Sequence, residues 1–352
     1  MTESANMQEV AGARVRGRGV WEHFTVLDGL PDMKVECLSE DSDGGIWVGT
    51  HDGGAARFDG ERFVCYSTED GLSSDSVYSI TEDKSGSLWF ATNRGLTRYD
   101  GTTFEILDVS LDYSFLWGSC MDESGDLWFG LDRRPGRPAG VVRWDGSDLE
   151  LIEAEGSEGI SGNSVKSVAC SAERGIYLCA NDLYHISSGR LSKLRWPIEE
   201  GAHHHFNRLG FGSTGVLTVL TSTGAFTWEG SDLRKISKAD MPGYASFAVH
   251  DDVHFLGSHA GRLERVSNEE SDNELQISKS IQSLLTDSAG NLWVGTFGAG
   301  LARTEPGVWR LFDGDGPEWS PLSITRRNGK DGVWVGSTHG LGTATESGWS
   351  NP

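Results

Sequence analysis

The sequence predicts an all-β protein, a single closed β-propeller of four-stranded blades, and three observations carry the prediction. A tryptophan-centred unit recurs about every 41 residues along the chain. The 47 glycines and 13 tryptophans among 352 residues match the many tight turns and regularly placed large core side chains that short strands require. No segment holds an apolar period of 3.6 over three turns, so helices are not expected.

The clearest unit runs from Asp83 to Phe104, and in that copy strands are expected at 77–81, 88–91, 96–99 and 103–107. Aligned on the tryptophan, the copies fall at Trp47, Trp89, Trp128, Tyr177, Thr218, Phe255, Trp293 and Trp334, which makes eight blades, with seven as the alternative. The fourth to sixth copies lose the tryptophan but keep the spacing. The turn between first and second strands carries D-x-x-G in Asp83–Gly86, Asp122–Gly125 and Asp287–Gly290. A short carboxylate can accept turn amides there, and the glycine can take positive φ. The third-to-fourth turn repeats as RFDG, RYDG and RWDG at Arg57–Gly60, Arg98–Gly101 and Arg143–Gly146, with TWEG at Thr227–Gly230; Asp-Gly between apolar runs is a strong hairpin signal.

The chain ends fit this scheme. Trp21–Val26 reads as a fourth strand without a blade, and the eighth copy stops at Pro352 after a third strand over Gly340–Thr345. The N-terminal strand is therefore expected to complete the last blade and close the ring, leaving no open edge. Residues 1–18 lack periodicity and read as a disordered leader before one propeller domain over 19–352.

A net charge of −22, from 52 acidic against 30 basic residues, argues against nucleic acid or an anionic membrane as partner, because both would be repelled. The sequence as written has no apolar run of the length of a signal peptide core or a membrane span, which points to a cytoplasmic protein, and a monomer is expected. The five cysteines, Cys37, Cys65, Cys120, Cys170 and Cys179, are odd in number and lack metal-ligand spacing. Buried reduced thiols are expected in preference to a disulfide or a zinc site.

The segments LDGLPDMKVECLSEDSDGGIWVGT, TEDGLSSDSVYSITEDKSGSLWFATNRGLTRYDG and TDSAGNLWVGTFGAGLAR resemble the two-component regulator propeller repeat. That family occurs in extracytoplasmic sensor regions of bacterial hybrid histidine kinases and in stand-alone proteins. The resemblance spans roughly Trp21 to Trp349. It implies a recognition propeller, periplasmic if the chain is one domain of a larger protein, although the family more often has seven blades.

Resemblance to propellers also implies that the second-to-third and fourth-to-first loops share the face around the channel mouth. Four residues after each tryptophan position stand His51, Asn93, Asp132, Asn181, Ser222, His259, Phe297 and Thr338, flanked by Asp52, Arg94, Arg133, Asp182 and His339. Such a ring could hold a sugar, a carboxylate or a peptide terminus, although loop tips are also polar simply because they are wet. On the innermost strands, Cys37, Ser79, Gly118, Ser167, Ala248, Ser283 and Ser323 are small, as crowding toward an axis requires. The fifth copy has Arg208 there, which either projects into a wet channel or reaches solvent through a shifted register. His203, His204 and His205 enter the same blade; they read as a surface loop or as a pH-sensitive or metal-assisted patch near Arg208. Asp41, Asp43 and Gly45 only faintly resemble a calcium loop and fit turn capping better.

The candidate ligand-binding set is therefore His51, Asp52, Asn93, Arg94, Asp132, Arg133, His204, Arg208, His259 and His339. The expected partner is a small polar or anionic ligand or a protein. A streptogramin-lyase-like enzyme is the alternative; it would need a His and Glu cluster holding a metal, whereas His51, His259 and His339 sit on different blades. A purely structural interaction ring is the third reading. No catalytic residue, metal site or cofactor is assigned.

Overall fold

A computed structural model describes residues 21–350 other than 108–115, 133–139, 154–159, 161–163, 188, 197–204, 213–214, 230–231, 238–242, 251–252, 268–269, 278, 305–320, 327–332, 338–339 and 346–347. The second copy shows how the unit folds. Strands Val77–Glu82, Leu88–Thr92, Gly95–Tyr99 and Phe104–Leu107 pair antiparallel in chain order. The second strand of a blade is buried at every position in LWFAT, IWVGT and LWVGT, because neighbouring blades cover both faces. The fourth strand is the outer edge of the blade, with Glu105 and Ile106 exposed between the part-buried Phe104 and Leu107.

Seven such sheets follow one another in a ring, over 35–66, 77–107, 116–153, 167–193, 206–235, 244–276, and 281–304 together with 21–24. Seven apolar clusters lie between neighbouring blades among the described residues, one for each adjacent pair. The seventh blade meets the first through Phe24, Trp293 and Leu301 against Val35, Ile46, Val48 and Phe58. Glycine two residues after the tryptophan makes this approach possible. A Cβ on Gly49 would lie 2.9 Å from Val77 Cγ1 of the second blade, and one on Gly295 would lie 2.5 Å from Val35 Cγ1 of the first. The same interface thus recurs between blades seven and one.

Two expectations are corrected here. The ring has seven blades, the alternative count, rather than eight. An eighth four-stranded sheet exists, over Pro321–Arg326, Val333–Ser337, Gly340–Thr345 and Gly348–Ser350, but the first blade already packs directly on the seventh. The N-terminal strand Trp21–Phe24 completes the seventh sheet by pairing with Leu301–Thr304; the eighth sheet has its own fourth strand. The degenerate fourth to sixth copies do form blades.

The repeated aspartate does more than cap a turn. Asp83 Oδ1 accepts the amides of Ser85 and Ser87 at 2.8 and 3.0 Å, while Oδ2 accepts the Trp89 indole N–H at 2.8 Å. Asp41 with Trp47, Asp122 with Trp128 and Asp287 with Trp293 repeat the indole bond at 2.8 Å. The partner on the third strand is arginine, with Arg98 over the Trp89 ring and Arg57 Nε donating to Asp41 Oδ2 at 2.6 Å. The Asp41 carboxylate is therefore occupied by protein donors, consistent with capping.

The cysteines depart from the expectation of five buried thiols. Cys120 and Cys170, on the innermost strands of the third and fourth blades, form a disulfide with Cα atoms 5.7 Å apart. Cys65 is exposed, and Cys37 and Cys179 are buried and free. Adjacent innermost strands converge near the axis, so cysteines 50 residues apart in sequence meet, which no spacing rule for a single sheet would suggest.

Candidate functional site

Backbone hydrogen bonds assemble one face of the ring. The residue four places after the tryptophan donates its amide to the segment entering its own blade: His51 to Lys34 O at 3.0 Å, Asn93 to Ser76 O at 3.3 Å, Ser222 to His205 O at 2.8 Å, His259 to Gly243 O at 2.9 Å and Phe297 to Ser280 O at 2.9 Å. These turns and entry segments therefore surround the mouth of the channel together. The aspartate–tryptophan turns lie at the other end of the same antiparallel strands.

The candidate residues divide on this face. His51 Nδ1 lies 2.8 Å from Glu36 Oε1, and its ring meets Phe297 edge-on at 5.4 Å. Asp52 pairs with Lys34 at 2.9 Å, which holds its carboxyl below the ordinary value. The Asn93 Oδ1 is buried without a hydrogen-bond partner among the described residues. The Arg94 amide donates to Thr92 Oγ1 at 3.1 Å. Asp132 bridges to Ser164 at the next blade's entry. His259 Nδ1 lies 3.2 Å from Ser280 Oγ, and burial, then the nearby Lys166, pulls its pKa down. Arg133, His204 and His339 lie outside the described residues.

Arg208 occupies the axis. A cavity of about 220 Å³ runs between the innermost strands, lined by Cys37, Ser79, Ser119, Ser167, Arg208 and Ser283, with Tyr78 and Phe247 among its walls. Of the two alternatives for Arg208, the structure takes the channel. Its Nη1 donates to Gln282 O at 3.1 Å, so the side chain reaches from the fifth blade past the sixth to the seventh. Burial pulls its pKa below the ordinary arginine value, against the opposing influence of Cys37, Cys179 and Glu36.

One innermost position needs correcting. In the sixth blade the counterpart of Ser79 is Ser246 rather than Ala248: Ser246 pairs with Gly257 as Ser79 pairs with Ala91, while Ala248 pairs with Phe255 as Thr81 pairs with Trp89. The sixth blade has no D-x-x-G turn, so counting back from a turn residue slips the register by two.

Glu36 and Tyr78 are the mouth residues that sequence reasoning missed. Each is the extra residue of a bulge at the start of its innermost strand, between Val35 and Cys37 and between Val77 and Ser79. Bulges re-aim side chains, and the signal for them is a polar or aromatic residue wedged between an apolar residue and the small axial one. Burial pushes the Glu36 carboxyl up, while His51 and Arg208 pull it down. Burial likewise raises the Tyr78 phenol, with Glu36 and Asp52 adding to it. The mouth therefore offers one carboxylate–imidazole pair, a phenol and an axial guanidinium.

Comparison with known proteins agrees with the architecture. A family model described as two component regulator propeller matches residues 29–52, 71–94 and 276–298, so these segments are two-component regulator propeller repeats. No curated protein matches the chain. Among solved structures, the extracellular domain of BT3049, described as a hybrid two component system from B. thetaiotaomicron, is 16% identical with a TM-score of 0.67, and the match covers 95% of this chain and 49% of that one. The corresponding domain of BT4673 is 17% identical with a TM-score of 0.65, covering 94% and 46%. This chain thus spans about half the length of those relatives. Virginiamycin B lyase from Staphylococcus aureus is 12% identical with a TM-score of 0.66, covering 82% and 98%. At such identities the likeness shows the fold alone.

Proposed function

We propose that this two-component regulator propeller is a recognition module that binds a small polar or anionic ligand at the channel-mouth face. The single observation that carries the reading is Arg208, a guanidinium extended through an axial cavity otherwise lined by small and hydroxylated residues. A rigid ring of blades with its most variable residues gathered on one face suits recognition, because the scaffold holds polar groups at fixed positions with little ordering cost. Output would pass to a partner protein or to further domains of the kind the longer two-component relatives carry.

Similarity to extracellular domains supports an extracytoplasmic location, and the Cys120–Cys170 bond supports it independently. Disulfides persist in oxidising compartments and are rare in reducing ones. Thermal-shift screening against sugars, amino acids, carboxylates and nucleotides tests the recognition reading. A ligand bound by the native state alone must raise the melting temperature. The expected result is a concentration-dependent rise that is lost on substituting residues of the mouth or axis, and a flat response across the set would overturn the reading.

A further inference from the structure

We propose that the axial cavity is a site for a small carboxylic acid, whose carboxylate docks on the Arg208 guanidinium while its other polar groups meet the hydroxyls of the innermost strands. This rests on the recognition reading above and names its ligand class and its seat.

The position of Arg208 is the first ground. The places that pair as Arg208 does hold Cys37, Ser79, Ser167, Ser246 and Ser283 in the first, second, fourth, sixth and seventh blades, and in the third the bulge residue Gly118 lines the cavity; all are small, because the strands converge there. Packing alone would favour a seventh small residue. An arginine at this place puts a cation on the axis, and among the described residues lining the cavity it alone is charged.

The second ground is that this cation lacks a partner of opposite charge. Its hydrogen bond goes to a neutral carbonyl, that of Gln282, and no carboxylate among the described residues lies within ion-pair distance. The acid that acts on it, Glu36, is engaged by His51 at 2.8 Å. Arg208 is part-buried in the channel, and a charge drawn out of bulk water without a counter-charge carries a desolvation cost that an entering anion relieves. The chain has 52 acidic side chains, so the missing partner does not reflect a shortage of acids.

Geometry and size select the class. A guanidinium has five N–H donors in a planar fork, and Nη1 spends one on Gln282 O. The fork matches a carboxylate in two parallel bonds. The cavity of about 220 Å³ has room on the order of seven water molecules, which suits an acid of a few carbons rather than a peptide or an oligosaccharide. Ser283 and the Ser79–Ser119 pair offer hydroxyls for a hydroxy or oxo substituent, and Tyr78 and Phe247 line the cavity beside them with apolar surface for the carbon chain.

Calorimetric titration of the whole chain with acetate, lactate, succinate and malate, beside inorganic phosphate and glucose, tests this. Two variants accompany it: Arg208→Ser, which installs the residue found at this place in other blades, and Arg208→Lys, which keeps the charge but not the fork. The expected result is saturable binding of at least one carboxylate, weakened roughly thirtyfold or more in Arg208→Ser and less in Arg208→Lys. Far-ultraviolet circular dichroism of Arg208→Ser should match the parent chain, and its melting temperature should equal or exceed it. Carboxylate binding that survives Arg208→Ser unchanged overturns the assignment, as does phosphate binding with no carboxylate binding. Glucose binding alone, unaffected by the variants, overturns this site and leaves recognition at the mouth standing. No binding by any probe overturns the carboxylate site, and the wider thermal-shift set then decides recognition separately.

Discussion

Glu40 holds Ser288 across the junction of the first and seventh blades, accepting the serine amide on Oε2 at 2.8 Å and its hydroxyl on Oε1 at 2.6 Å. Glu82 holds Ser42 in the same way, at 2.7 and 2.6 Å, between the second and first blades. A junction between residues 248 apart in sequence thus uses the same bonds as one between residues 40 apart.

Glu40→Ala should therefore destabilise the protein by about 1–2 kcal/mol, the range for a solvent-accessible charged acceptor with two donors, and Glu82→Ala should cost about the same. Urea unfolding of both variants measures this. If Glu82→Ala is destabilising and Glu40→Ala is neutral, the junction is held by the apolar contacts of Phe24 and Trp293 instead.

The aspartate–tryptophan bonds predict acid sensitivity. Asp41, Asp83 and Asp122 are partly buried, which raises their pKa, but hydrogen bonds outweigh this and leave each carboxyl below its ordinary value; Arg57 leads for Asp41, and serine hydroxyls followed by the indoles lead for the other two. A carboxylate with a depressed native pKa stabilises the fold fully above its unfolded pKa of about 4 and loses that contribution as pH falls through the native value. Unfolding free energy should fall steeply below pH of about 4. Asp83→Asn should cost about 1–3 kcal/mol at neutral pH and flatten part of that slope. A variant with the parent's full acid slope would show that Asp83 does not contribute to it.

The Cys120–Cys170 bond closes a separation of 50 residues. In the chain-entropy account such a link stabilises by about 4 kcal/mol. The double variant Cys120→Ser/Cys170→Ser, or reduction with dithiothreitol, should lower the urea midpoint accordingly while the circular dichroism of the folded state is kept. A midpoint unmoved by reductant would contradict a formed bond.

Thiol chemistry separates the remaining cysteines. Cys65 is exposed, whereas burial pushes the Cys37 and Cys179 thiols up to about 12. Maleimide under native, non-reducing conditions should label Cys65 alone, with Cys37 and Cys179 following only in denaturant. Native labelling of Cys37, which lines the axial cavity, would mean that the channel admits reagents of that size.

The blade itself was legible in the sequence, because its signals act within about twenty residues. The D-x-x-G turn, the buried tryptophan run and the Asp-Gly hairpin each encode bonds between near neighbours, such as Asp83 with Trp89 and Asp100 with the Thr103 amide at 2.8 Å. Strand positions in the second copy followed to within a residue of those predicted. Weak copies were found by spacing alone, and where the turn aspartate was missing the register slipped, as at Ser246.

The sequence by itself determined the repeat, the strands and the face on which polar turns collect. It carries eight copies of the unit, and local pattern cannot state how many of them share one ring. Tertiary packing decided that number, because the angle between neighbouring sheets brings Val35 against Gly295 after seven blades. Packing also paired Cys120 with Cys170 and sent Arg208 along the axis to Gln282 O. Each of these depends on distances between blades, which are set by side-chain volume across an interface and leave no period in the chain.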